Sequence, residues 1–230
     1  MIVAAGVAAA DRDGLDRLSM RRLAAELGVD PMSLYNHVRD KSALLEGMAD
    51  AVVAEMRASA PSPAVPPADP ELATDPHGDW RDEMRALIRS ARDTALRHRW
   101  LPRVLEDRAD ATPAMIAHID AVLGILRRGG ASLDLAHHAL HVLGSRVAGF
   151  SQDLFEDDAE ADPAEIAAQA EAWRAVVPYV AELALAADHD GGMGGCDSDA
   201  EFWFAIDLIL DGLEAARLRE ETEPGAAPPR

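Results

Sequence analysis

The sequence predicts an all-α protein in two parts: a small N-terminal unit and a larger helical domain. Three observations predict it. Alanine makes up about a fifth of the 230 residues, and Ala and Leu lose little on helix formation, whereas sheets favour β-branched and aromatic residues. Apolar residues recur at helical spacing along most of the chain and few runs alternate at period two, so no strand is expected. Six of the fourteen prolines fall between Pro61 and Pro76. Proline removes backbone donors and fixes φ, so this stretch reads as an extended connector between the two parts.

Taken in order, residues 2–10 supply a first helix. Ser19 caps a short helix, MRRLAAEL, that buries Leu23, Ala24 and Leu27. Gly28 supplies a tight turn where a Cβ would strain. Asp30 then caps a second short helix, MSLYNHV, with Pro31 at its first position and Leu34 and Val38 inward. Two short helices joined by a Gly-containing turn form a helix-turn-helix, whose second helix enters the DNA major groove. Asp40 caps a longer helix, 41–57, with Leu44, Leu45, Met48, Val52 and Val53 inward. The N-terminal domain is therefore expected at 1–58, three helices plus this connecting one, followed by the connector at 59–78.

The larger domain, expected at 79–221, opens with a helix from Asp79 to about Arg99 carrying Met84, Leu87, Ile88, Ala91, Ala95 and Leu96 on one face. Pro113 to Arg128 repeats the pattern with Ile116, Ile119, Val122, Leu123 and Leu126, and Gly129-Gly130 ends it. Ser132 caps a longer helix running to about Phe155. Pro163 precedes EIAAQAEAWRAVV at a first helical position, and Pro178 to Ala187 forms another short helix. Ser198 or Asp199 caps a final helix with Phe202, Ile206, Ile209, Leu210 and Leu213 inward. EDDAEADP (156–163) and the Gly-rich 188–199 are breaks, the latter a mobile loop, and 222–230 is a disordered tail.

The formal charge of −19 at first argues against nucleic acid as a partner. Its distribution is nevertheless compatible with DNA binding by the N-terminal part. Residues 1–57 carry seven basic and nine acidic groups, a net of −2, so nearly all the acid lies in the larger domain. A single cysteine, Cys196, excludes an intrachain disulfide and a multi-cysteine zinc site, so nothing suggests secretion. No apolar run approaches the length of a membrane span, and MIVAAGVAAADRD lacks the flank of a signal peptide, so a cytoplasmic location is expected. There is no GxSxG, phosphate-cradling Gly loop or activated-cysteine context, so the chain reads as no enzyme, with no cofactor.

The run from Leu18 to Val53 resembles the DNA-binding domain of the TetR family of bacterial regulators. That family's pattern is a capped helix with Arg, then Leu-Ala, Leu-Gly-Val and Leu-Tyr-x-His-x-x-x-Lys. It is matched here by Arg21, Leu23-Ala24, Leu27-Gly28-Val29, Leu34-Tyr35, His37 and Lys41. More loosely, GGASLDLAHHALHVLGSRVAG and FWFAIDLILDGLEA resemble the dimer-forming helices of the tetracycline-repressor branch. The family usually has a basic arm ahead of its first helix, whereas Met1-Ile2-Val3 already lies within that helix. Either the true start lies upstream or this protein makes fewer phosphate contacts.

The resemblance implies roles for particular residues. Ser19 and the helix start at Met20 abut phosphate, Arg21 reads guanine, and Pro31, Met32 and Ser33 meet base edges or thymine methyls. Asn36 faces the groove, Tyr35 and His37 contact phosphates, and Lys41 adds a charge. The alternative for Tyr35 and His37 is a surface pair packing across the turn. Arg12, Arg22 and Arg39 read as ordinary surface charges.

The resemblance also implies a regulator, a repressor in most relatives, that binds a palindromic DNA operator as a homodimer through helices 132–155 and 199–219. Gly144, Gly149 and Gly212 would permit close helix approach at that seam. A mostly apolar small-molecule effector is expected among helices 79–128, with Trp80, Met84, Trp100, Met115, His118, Phe150 and Trp173 as candidate lining groups. Core packing is the rival reading for each. Arg146, in an apolar stretch, must reach solvent, a carboxylate or an anionic ligand. Coupling from effector to DNA is expected through Leu45, Met48, Ala49 and Val52 against the sensor helices. His137, His138 and His141 have no HExxH context, so no metal is expected. The tetracycline repressors hold a magnesium–drug complex with a His after the fifth helix. None stands near Val104-Leu105-Glu106, which argues against tetracycline. The rival reading of the whole chain is a ligand-binding or interaction protein that keeps the helix-turn-helix only as scaffold.

Overall fold

The structure, a computed structural model, describes residues 1–59, 80–106, 111–149, 163–186 and 198–222. The connector, the Gly-rich 188–197, the stretch 150–162 and the C-terminal tail lie outside the described residues, as does Phe150 and the Arg146 side chain. The described chain is all-α: α1 (Ile2–Asp13), a single 3₁₀ turn (Leu15–Arg17), α2 (Met20–Leu27), α3 (Pro31–Tyr35) and α4 (Lys41–Ser59). There follow α5 (Trp80–Arg97), α6 (Leu101–Glu106), α7 (Pro113–Arg128), α8 (Leu133–Gly149), α9 (Pro163–Trp173), α10 (Pro178–Ala186) and α11 (Ser198–Thr222).

Two compact units can be distinguished, Met1–Val147 with Gly212–Arg230, and Ala148–Asp211. In the first, a continuous core joins Leu23 and Ala24 of α2, Leu34 of α3, and Leu44, Met48, Ala49, Val52 and Val53 of α4 to Ala91 of α5 and Trp100, Leu101 and Val104 at α6. Helix α4 thus belongs to the helix-turn-helix and to the sensor helices at once. Polar bonds register the same packing: Ser90 Oγ donates to the Met56 carbonyl at 2.6 Å, and the Ala114 amide donates to Asp50 at 3.1 Å. In the second unit α9 packs on α10 with Ala170 and Ala181 buried, and Phe202, Ile206 and Leu210 form the buried stripe of α11.

Several expectations need correction. The helix containing MSLYNHV stops at Tyr35, because the His37 and Val38 amides both turn back to the Leu34 carbonyl. The one opened by Pro163 stops at Trp173, whose carbonyl accepts the Val176 and Val177 amides. Helix α6 was not foreseen, although Pro102 at its second position is a start signal. Thr94 of α5 and His98 just past its end continue the buried stripe instead of Leu96, which is 50% exposed. Leu96 lies two residues past Thr94, roughly 200° round a helix of 3.6 residues per turn. Ile116, in the first turn of α7, is likewise 57% exposed.

At the far end of α5, buried Trp80 donates Nε1–H to Glu214 at 3.2 Å, and Glu214 accepts from Arg217 at 2.8 and 2.9 Å. The Arg217 bonds, with Trp80 adding to them, pull the Glu214 carboxyl from an ordinary 4.5 to about 2. Since the folded value lies below the unfolded one, this stabilisation is complete above pH 4.5 and is lost as pH falls towards 2. The shift corresponds to about 3 kcal/mol for a side chain less than a quarter exposed. Glu214→Gln should therefore be less stable than the parent by about that much at pH 6, in urea denaturation. The gap should close as pH approaches 2; a constant gap would mean that the ion pair is not its source.

Candidate nucleic-acid interface

The helix-turn-helix is built by local chemistry. Ser19 Oγ accepts the Arg22 amide at 3.2 Å and starts α2. Gly28 adopts φ +68°, the left-handed conformation that closes the helix without Cβ strain. Asp30 accepts the Met32 amide at 2.8 Å with Pro31 first in α3, and Asp40 accepts the Ala43 amide at 2.8 Å at the start of α4. That amide, with Arg39 beside it, holds the Asp40 carboxyl below its ordinary range. Leu34 faces the core, so the rest of the short α3 faces out.

The outward surface carries most of the expected DNA-contact residues. Ser19, Arg21, Met32, Ser33, Tyr35, Asn36, His37 and Lys41 are all exposed, with Met32 at 70%, and Pro31 is half-buried. Met20 is the exception: its side chain is buried in the core, so only its main chain is available to an anion. Arginines sort into two groups. Arg12 bonds Asp13 and Glu26, Arg22 bonds Asp13, and Arg39 bonds Asp40. Arg21 and Lys41 have no ion-pair partner among the described residues. Arg21 and Lys41, the cations in register with the DNA-binding pattern, are thus left uncompensated, as is Arg17, whereas Arg12, Arg22 and Arg39 are paired within the chain.

Behind this surface lies a junction that sequence reasoning missed. Asp11 on α1 accepts from Trp100 Nε1 at 2.6 Å and pairs with His98 Nδ1 at 2.8 Å. His98 Nε2 lies 3.6 Å from Glu55 on α4, which Arg97 also binds. The Arg97 hydrogen bond lowers the Glu55 pKa. The residues are too far apart in sequence for any local pattern to pair them.

The candidate effector residues do not form one site. Trp80 opens α5 and Trp100 follows its other end, beyond a helix about 26 Å long at 1.5 Å per residue, and each is buried with its ring N–H bonded to a carboxylate. Met84 is fully buried, Met115 packs against the helix-turn-helix core, and Trp173 is partly exposed on α9. His118 differs. Its Nδ1 is buried with no hydrogen-bond partner among the described residues, and burial, helped by the charge of Arg57, lowers its pKa. The rings of His137 and His141 meet edge-on at 4.8 Å, but among the described residues no three His, Cys, Asp or Glu side chains converge as a metal site would need. No described helix is long and apolar enough to cross a membrane.

Comparison with known proteins places this geometry in context. Residues 2–48 match the family described as bacterial regulatory proteins of the tetR family, and residues 72–217 match the tetracyclin repressor-like C-terminal domain. The chain is 34% identical to the HTH-type transcriptional repressor DrrR1 of Streptomyces coeruleorubidus, covering 97% of this chain and 80% of that protein. It is 31% identical to the class A tetracycline repressor from transposon 1721 of Escherichia coli, covering 89% and 85%. Among solved structures, apo ActR from Streptomyces coelicolor superposes with a TM-score of 0.73 at 27% identity, over 95% of each chain. ActR in complex with actinorhodin gives 0.73 at 28%, over 94% of each. With both halves matched and the helix-turn-helix pattern intact in three dimensions, the chain belongs to the TetR family of transcriptional regulators.

Proposed function

We propose that this regulator is a repressor that binds a palindromic operator in the cytoplasm as a homodimer and is released by a small, mostly apolar inducer. The observation that carries the reading is the capped α3 and the turn after it, presenting Met32, Ser33, Tyr35, Asn36 and His37 outward, flanked by uncompensated Arg21 and Lys41. The repressor name of DrrR1 and the ligand complexes of ActR support the direction of control and the existence of an inducer. In this reading residues 1–58 are the DNA-reading domain and 79–221 the ligand-binding and dimerisation domain. Gly144 and Gly212 have open space at their Cβ positions in the single chain, which fits a seam where partner helices from 132–155 and 199–219 approach closely. His118 is the preferred polar anchor for the inducer, since a ligand group would complete the bonding of its buried nitrogen.

The test is mobility shift on the gene's own upstream region at low salt, with sedimentation of the free protein. A dimer and a saturable, sequence-selective shift are expected. A monomer that shifts nothing would favour the scaffold reading.

Coupling is assigned to α4. Met48, Ala49 and Val52 share the core with Ala91, Trp100, Leu101 and Val104, so movement of α5 or α6 displaces the helix that carries the reading head. An inducer acts only through its differential affinity for two dimer geometries, typically ~1–3 kcal/mol. Val52→Ala or Met48→Ala should change the inducer concentration for operator release several-fold more than it changes inducer affinity. Titrating release and binding separately reads this, and equal shifts in both would remove α4 as the transmitter.

A further inference from the structure

We propose that the open pocket bounded by α1, α5 and α6 is a second ligand site, taking a small organic anion with an apolar body and one carboxylate. The cavity has a volume of about 440 Å³, within the range of small-molecule sites. Leu15, Leu96 and Trp100 give it an apolar wall, and Arg97, Arg99 and Arg103 surround that wall with guanidinium groups. Three of the chain's 22 cations line it, against one carboxylate, Asp11, among the lining residues.

The state of each charge favours an incoming carboxylate. Arg99 has no ion-pair partner among the described residues. Among the described residues Arg103 meets only Asp16, at 3.3 Å, with the two side chains 66% and 85% exposed, a pair that water already loosens and a ligand can replace. Arg97 is engaged by Glu55, and Asp11, the acidic residue on the wall, is turned to His98 and Trp100. Guanidinium groups bind carboxylates bidentately, so Arg99 alone can orient the anion while Arg103 adds charge. The apolar half explains Leu96. It is half-exposed on a helix whose other large aliphatic residues are buried, and it faces this cavity. The site is separate from His118 on α7 and stands whether or not the protein binds an operator. An occupant would touch both α1 and α5–α6, bridging the reading head and the sensor helices.

The experiment is calorimetric titration of the full chain with 2-naphthoate and with the neutral 2-naphthamide, using the parent, Arg99→Glu and Leu96→Asp. Both substitutions are at exposed positions, and circular dichroism checks that each variant keeps its helices. Saturable naphthoate binding by the parent is expected, at least tenfold weaker in both variants, with the amide at least tenfold weaker on the parent. Absence of saturable naphthoate binding, or the same affinity in the parent and both variants, would overturn the proposal. Because no DNA enters the titration, its failure leaves the operator reading untouched.

Discussion

Gly129→Ala should destabilise the protein by about 3 kcal/mol, the upper end for overpacking a well-filled core. A Cβ at Gly129 would lie 2.4 Å from Trp80 Cγ and 2.7 Å from its Cβ and Cδ1. Backbone strain plays no part, since φ is −70° and ψ 4°, angles that alanine adopts freely. The indole cannot retreat: it is buried, its Nε1–H is bonded to Glu214, and Glu214 is held by Arg217. Trp80, Leu126, Leu135 and Leu213 close round Gly129 and leave a void of only about 10 Å³. Thermal unfolding should show a fall of roughly 6–12 °C for a chain of this size. A double-mutant cycle isolates the cause. In a Trp80→Leu background, Gly129→Ala should cost far less, and full additivity would show that the clash is not with Trp80.

The second large effect concerns DNA. Tyr35→Phe and His37→Ala should each lower operator affinity about 100-fold. A hydrogen bond to a charged phosphate contributes about 1.5 kcal/mol, and a symmetric dimer loses it twice. For Lys41→Ala the salt slope of log K should also flatten by about 1.8, since both half-sites of the proposed dimer complex lose one cationic contact. Arg12→Ala and Arg39→Ala should change binding little, because these side chains are engaged by Glu26 and by Asp40. All of these positions are exposed, so the variants should stay folded. Operator binding unchanged in both the Tyr35 and His37 variants would remove α3 as the recognition helix.

The reading head was legible because its instructions are local. Ser19, Gly28, Asp30-Pro31 and Asp40 each act within about four residues of themselves, and the structure realises each as a cap or turn. The same holds for Pro113 and for the Gly129-Gly130 stop, whose helix has the bounds that its sequence signals. Where a boundary was missed, as at Tyr35 and Trp173, helical periodicity persists in the sequence while a turn bond captures the backbone first.

Helicity, the helix-turn-helix and the outward residues of α3 were thus determined by the sequence alone, through propensity, capping and the spacing of apolar groups. Only the tertiary structure decided which carboxylates serve Trp80, Trp100 and His98, why Leu96 is left open, and why Gly129 admits no side chain. The physical reason is choice. With 41 acidic residues, every ring N–H has many possible acceptors, and only the packing of α1, α4 and α5 brings Asp11 and Glu55 to the buried His98. Contacts across 87 or 134 positions are selected by where whole helices lie, which no cap, turn or periodicity encodes.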